Sequence, residues 1–369
     1  MIKFVKFIRQ KPLLWLLLAV PLAFLAEVGG WGPVWVFGLS AIGVVPLAGL
    51  IGEATESLAH YTGPRLGGLL NATLGNAAEL IITIVAIRAG LLDLVKASIT
   101  GSIIGNLLLV LGFSMVFGGI RNGIQSFDRK QASHNAILLV LTVLILTIPS
   151  LFSHYIGEES DPKVEALSLG VAGVMIVLYI LGLIYSFKVI GSPLTPEAEA
   201  VEIIRPTWSV RTSLIVLALS TIGVALLSEI LVGAVEPMVA SLGISEFFIG
   251  IIFIPIIGNV AEHLVAVQVA IRNKMTLSVE IAVSSSLQIA LFVAPVLVFI
   301  SLFFGHPLNL IFNSLELLAL GAGVLIAALV SADGESNWLE GSELLAIYLI
   351  LALAFLLMPV SQAIEGLVP

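Results

Sequence analysis

The chain has 369 residues, of which 59% are hydrophobic and 11% charged, with a formal net charge of −8 and no cysteine. An average soluble domain carries roughly 25% charged residues. The composition therefore excludes an ordinary soluble enzyme, a nucleic-acid binder and a disordered chain, and the missing cysteines exclude a disulfide frame, a thiolate metal site and a catalytic thiol.

A polytopic membrane protein remains. Its apolar runs of about 20 residues require spanning helices and not a barrel of roughly ten-residue strands. At the N-terminus Lys3, Lys6, Arg9 and Lys11 precede an apolar run from Pro12 to Ala26. A cleaved signal peptide needs a small-x-small site, but Ala23 and Ala26 are three apart, so a retained first span is expected, which makes 1–30 a cytoplasmic N-terminus and first transmembrane helix, the first of about eleven spans. Spans follow near 12–28, 33–59, 65–89, 93–118, 131–152, 164–187, 208–233, 244–271, 275–303, 308–332 and 341–360. The longest connection, 188–207, carries Pro193, Pro196, Glu197, Glu199 and Glu202 and separates halves of similar size, 31–187 and 208–369. Of the 16 Lys and Arg residues, all but Arg88, Lys96 and Lys163 fall on the side of the N-terminus. That asymmetry predicts a cytoplasmic N-terminus, a cytoplasmic 188–207 linker and an external C-terminus.

The halves repeat each other. Gly75-Asn76-Ala77-Ala78-Glu79 and Ala86-Ile87-Arg88 match Gly258-Asn259-Val260-Ala261-Glu262 and Ala270-Ile271-Arg272. Upstream, Thr55-Glu56-Ser57-Leu58 matches Ser228-Glu229-Ile230-Leu231; downstream, Gly101-Ser102-Ile103-Ile104-Gly105-Asn106 loosely matches Ser284-Ser285-Ser286-Leu287-Gln288. The matched third and eighth spans are an odd number of crossings apart, so they run in opposite directions. Inverted repeats are the common plan of secondary transporters, with the substrate site at the repeat interface near the midplane.

An ionised carboxylate at the bilayer centre costs on the order of 3 kcal/mol. Glu79 and Glu262 lie near mid-span, with no Lys or Arg at comparable depth, so each must be protonated, paired or bound to a cation. Asn76 and Asn259, three residues earlier, share their helix faces. Amide and carboxylate oxygens are hard ligands suited to calcium, and the nitrogen and sulfur set that zinc prefers is missing. Gly75 and Gly258 weaken the helix beside each Asn, and Pro255 does so further in the second half, so the sharper break is expected there. Glu56 and Glu229 form a second matched pair nearer the span ends, as outer cation sites, proton carriers or carboxylates in interfacial water. Ser102, Asn106, Ser285 and Gln288 are candidates to complete the site or to join helices. His263 stands about 100° round the helix from Glu262, as a proton relay or a buried neutral imidazole. The Glu197, Glu199 and Glu202 cluster is either a cation-sensing loop or a solvated acidic one.

The blocks at 68–81 and 255–263, with Ser-Asn-Trp-Leu-Glu-Gly at 336–341, resemble the calcium/proton exchanger (CAX) family of the calcium:cation antiporter superfamily. Related sodium/calcium exchangers carry a hydroxyl residue and a proline where Asn76, Asn259, Ala78 and Ala261 stand here, which favours the proton-coupled branch. The resemblance implies an all-α polytopic fold of one N-terminal helix and two inverted five-helix repeats. It also implies Glu79 and Glu262 as central ligands, and the acidic loop as a short cytoplasmic helix. The expected function is calcium/proton exchange by alternating access in a prokaryotic inner membrane. Calcium, protons and the bilayer are the partners, no cofactor and no nucleic acid are involved, and self-association is left open. A sodium-coupled exchanger and a cation channel are the alternatives. An intramembrane hydrolase is disfavoured because no His-Glu-x-x-His, Gly-x-Ser-x-Gly or buried Asp pair occurs.

Overall fold

A computed structural model of the chain describes residues 12–157, 161–188 and 208–358. The acidic Glu197, Glu199 and Glu202 fall outside the described residues. The fold is helical. Eight helices are long and apolar enough to cross a membrane: Pro33–Gly63 (α2), Leu92–Asn122 (α5), Arg129–Ser153 within Arg129–Ile156 (α6), Pro162–Tyr185 within Pro162–Lys188 (α7), Val210–Leu242 (α8), Glu246–Ile271 (α9), Met275–Ser301 (α10) and Trp338–Leu356 (α12). Two shorter apolar helices, Leu13–Val28 (α1) and Ser314–Val330 (α11), accompany them. The third expected span is present as two pieces, 64–74 (α3) and Ala77–Arg88 (α4).

The breaks around α3 have local causes. Gly63 sits at φ 82°, ψ 170°, a conformation that strains any residue with a Cβ, and Pro64 follows it with a φ preset for a helix start. Asn76 at φ −92°, ψ 15° ends the helical path before Ala77. The eighth span behaves differently: α9 continues through Pro255 and Gly258, preceded by a π-helical turn at Ile249–Phe253. The sharper break thus lies in the first half, opposite to the expectation from Pro255. Because Pro255 sits beside the wider π turn, it is accommodated at the start of a regular helix instead of interrupting one. Further π turns occur at Gly105–Val110 in α5 and Ile289–Val293 in α10, at matched places in the two halves.

Pro255 has no N–H to give the carbonyl of Ile251 four residues back. Gly101 of α5 lies directly against that carbonyl: a Cβ there would fall 2.0 Å from Ile251 O and 2.7 Å from Pro255 Cγ. In the other half the matched positions are Ala72 and Ser284, so the proline and its facing glycine occur together and are absent together. This contact seats α5 of the first half on α9 of the second.

The helix ends near Asn122, Ile271 and Trp338 are tied by polar contacts. Gln125 Nε2 donates to Ala270 O and to Asn273 Oδ1, both at 2.9 Å, which satisfies the end of α9. Gln125–Ser126 (β1) pairs antiparallel with Glu335–Ser336 (β2), Gln125 opposite Ser336. The 336–341 motif is explained by this corner. Ser336 joins the ladder, Asn337 and Glu340 close a capping box on α12, and Gly341 packs on Gly112 O of α5. A second capping box, Asn313 with Glu316, starts α11.

Candidate functional site

Four helices bring the predicted residues together at the crossing of the two halves. Glu79 begins α4 and is wholly buried; Glu262 lies mid-way along α9 and is half-buried. Each glycine of the repeated motif faces the other half's glutamate, Gly75 its carboxylate and Gly258 its Cβ and backbone. A Cβ on Gly75 would stand 2.9 Å from Glu262 Oε1, and one on Gly258 would stand 3.2 Å from Glu79 Cβ. Glycine at both places lets the two backbones approach the two glutamates closely.

A serine supports each carboxylate in the same way. Ser102 Oγ on α5 donates to Glu79 Oε1, and Ser285 Oγ on α10 donates to Glu262 Oε2 at 2.7 Å, each serine 23 residues after its glutamate. The loose downstream match of the two halves is thus a matched structural position. The asparagines cross between halves: Asn259 Nδ2 donates to Glu79 Oε2 at 3.2 Å and to Ser102 Oγ at 3.3 Å, while Asn76 Nδ2 donates to Gln288 Oε1 at 2.9 Å. Both amides are buried and both spend their N–H groups on protein. Their oxygens, Asn76 Oδ1 and Asn259 Oδ1, are buried with no hydrogen-bond donor. Buried acceptors are normally satisfied. Amide and carboxylate oxygens are hard ligands of the kind a divalent cation takes. Among the described residues no three His, Cys, Asp or Glu side chains form a cluster, so a cation here depends on these amides as well as on the two acids.

The other candidates are elsewhere or differently engaged. Asn106 is buried in the α5 π turn and its Nδ2 makes no hydrogen bond. His263 is half-buried, and the hydrogen bond of neighbouring Glu262 goes to Ser285. Glu56 is exposed on α2. Glu229 is bound to Arg88, Nη2 to Oε2 at 2.7 Å, so its carboxylate is in an ion pair. Sequence reasoning gave Arg88 no role; its identity with Arg272 in the repeated Ala-Ile-Arg was the available signal.

Matched residues of the two halves differ in exposure. Ile82, three residues after Glu79, is 0% exposed, whereas Val265, three residues after Glu262, is 49% exposed. Ile87, Leu227 and Leu231 are buried as Ile82 is.

The chain matches the family model described as "Sodium/calcium exchanger protein" over residues 32–188 and 212–357. It is 44% identical to the Ca(2+)/H(+) antiporter of Aphanothece halophytica, over 94% of this chain and 96% of that one. It is 43% identical to the Ca(2+)/H(+) antiporter ChaA of Bacillus subtilis, over 92% and 97%. Among solved structures it resembles native YfkE at TM-score 0.81 and 39% identity, covering 94% of this chain and 99% of that one. It also shares its fold with the H+/Ca2+ exchanger CAX at TM-score 0.74 and 17% identity.

Proposed function

Given that the chain belongs to the sodium/calcium exchanger protein family, we propose that it is a Ca2+/H+ antiporter working by alternating access, with Glu79 and Glu262 as one shared calcium and proton site. Relatives named Ca(2+)/H(+) antiporters, matched nearly end to end, support the reaction. The observation that supports the site is the contact set around the two acids, with Asn259 and Ser102 donating to Glu79, Ser285 donating to Glu262, and the oxygens of Asn76 and Asn259 buried without a donor.

Calcium is held between the carboxylates and completed by the amide oxygens and water. Protons arriving from the opposite side occupy the same oxygens and release the ion, since metal binding and protonation compete. An empty, doubly ionised site is costly to bury in the membrane, which suppresses leak. The N-terminal, Arg272-side face is cytoplasmic on the distribution of basic residues, and the membrane is that of a prokaryotic cell.

The test is calcium flux in proteoliposomes with a pH gradient or a sodium gradient imposed separately. Flux driven by pH alone is expected; flux that requires sodium overturns proton coupling. The serines give a graded check. A hydrogen bond to a charged group contributes about 1.5–3 kcal/mol, and Ser285→Ala removes the one that orients the Glu262 carboxylate. It raises the calcium concentration for half-maximal flux by about tenfold or more at fixed pH. An unchanged calcium dependence contradicts that role.

A further inference from the structure

A groove of about 410 Å³ runs between α6 and α11, which pack on each other. Its walls are small or apolar side chains: Ala136, Ile137, Val140 and Leu141 from α6, and Ala328 from α11. Ile137 and Leu141 are 56% and 51% exposed on a helix long and apolar enough to span a membrane, so the groove faces hydrocarbon. Its polar end is Arg129, the first residue of α6, with Ser133 one turn further in.

That end is built by the turn after α11. Phe127 N donates to Gly334 O at 2.8 Å, and a Cβ on Gly334 would fall 2.9 Å from Arg129 Cβ. Arg129 and the following Lys130 are both exposed. The adjacent acids are engaged by backbone N–H groups: Asp128 accepts from Lys130 N and Gln131 N, and Asp333 from Glu335 N. Among the described residues neither Arg129 nor Lys130 is in an ion pair.

We propose that this groove binds one anionic phospholipid, its phosphate on Arg129 and Lys130 and one acyl chain along Ala136, Val140 and Leu141. The dimensions agree. Arg129 to Leu141 is about 18 Å of helix, and one leaflet of hydrocarbon is about 15 Å deep. The apolar walls select a lipid over a free phosphate, and the two cations select an anionic headgroup over a zwitterionic one. This face is cytoplasmic on the distribution of basic residues, and the cytoplasmic leaflet carries the negative surface potential. The lipid also braces the helices behind the candidate site, because α6 packs on α10, which carries Ser285, and α11 packs on α5, which carries Ser102. The lipid site does not depend on which ion the chain carries.

The test is native mass spectrometry of the whole detergent-purified chain, titrated with dioleoyl phosphatidylglycerol or dioleoyl phosphatidylcholine. The parent is expected to bind phosphatidylglycerol the more tightly. A Lys or Arg beside an anionic lipid is worth about fivefold in affinity, so Arg129→Gln with Lys130→Gln lowers phosphatidylglycerol affinity about 25-fold and moves phosphatidylcholine by less than about twofold. Ala328→Phe fills the groove and removes the first bound lipid of either kind. The exposed positions 129 and 130 keep the test decisive if Ala328→Phe does not fold. Equal parent affinities for the two lipids, or unchanged phosphatidylglycerol binding in the double variant, overturn the site. Displacement of the lipid by glycerol phosphate, which has the charge without the chains, overturns it in favour of a free-anion site. A dimer that Ala328→Phe dissociates puts a second copy in the groove and overturns it as well.

Discussion

Glu79→Gln abolishes pH-driven calcium exchange while the protein still folds. Gln keeps the size of the side chain and can accept the Ser102 hydroxyl. Asn259 can turn its amide so that its oxygen meets the new NH2 group, because the donor and acceptor ends of Asn and Gln are interchangeable by a flip. Packing is thus preserved. What is lost is one unit of negative charge and one proton-carrying group in a wholly buried position. Removing one partner of a buried charge pair costs about 3–5 kcal/mol, more than a hundredfold in calcium affinity. Glu262→Gln has the same consequence. The check is calcium uptake into liposomes under an imposed pH gradient, with thermal unfolding in detergent to establish folding. Rapid uptake by either folded variant contradicts the shared site.

Gly101→Ala has the largest expected effect on stability. A Cβ at this position falls 2.0 Å from Ile251 O and 2.7 Å from Pro255 Cγ. The first neighbour is backbone and the second is a ring, so neither can swing aside as a flexible side chain would. Overpacking typically costs 1–3 kcal/mol, and a main-chain clash between two spans places this variant at about 3 kcal/mol or beyond. The control is Ser284→Ala at the matched position, where a side chain is already tolerated and the hydroxyl only donates back to Ile281 O. A large fall in Tm for Gly101→Ala with little change for Ser284→Ala is expected. Equal Tm values for Gly101→Ala and the parent contradict the proposed seat of α5 on α9.

Much of this arrangement is legible in the sequence, because in a membrane polar residues are expensive and therefore informative. Glu79, Glu262, Asn76 and Asn259 stand out from an apolar background, and their ordered repetition gives both the inverted halves and the common site. The serines are legible as candidates, though low-complexity apolar sequence hides the register that pairs Ser102 with Glu79 and Ser285 with Glu262. The sharper break was expected in the wrong half. Pro255 is visible in sequence, but the π turn that absorbs it depends on the contact with Gly101 of another span. The pairing of Glu229 with Arg88 was also hidden, since its residues are 141 apart and only the packing of α4 on α8 brings them together. Exposure is a property of the whole assembly: matched residues such as Ile82 and Val265 differ in it although their sequence settings are alike.

The central claim is that calcium and protons occupy the same carboxylates. It is tested most directly by the protons released when calcium binds to the detergent-purified protein, measured by titration calorimetry in buffers of different ionisation enthalpy. Competition for shared oxygens predicts net proton release that grows as the pH is lowered through the titration of the site, and a smaller release in Glu79→Gln if residual binding is measurable. Tight calcium binding with no proton release at any pH, and with an affinity independent of pH, contradicts it.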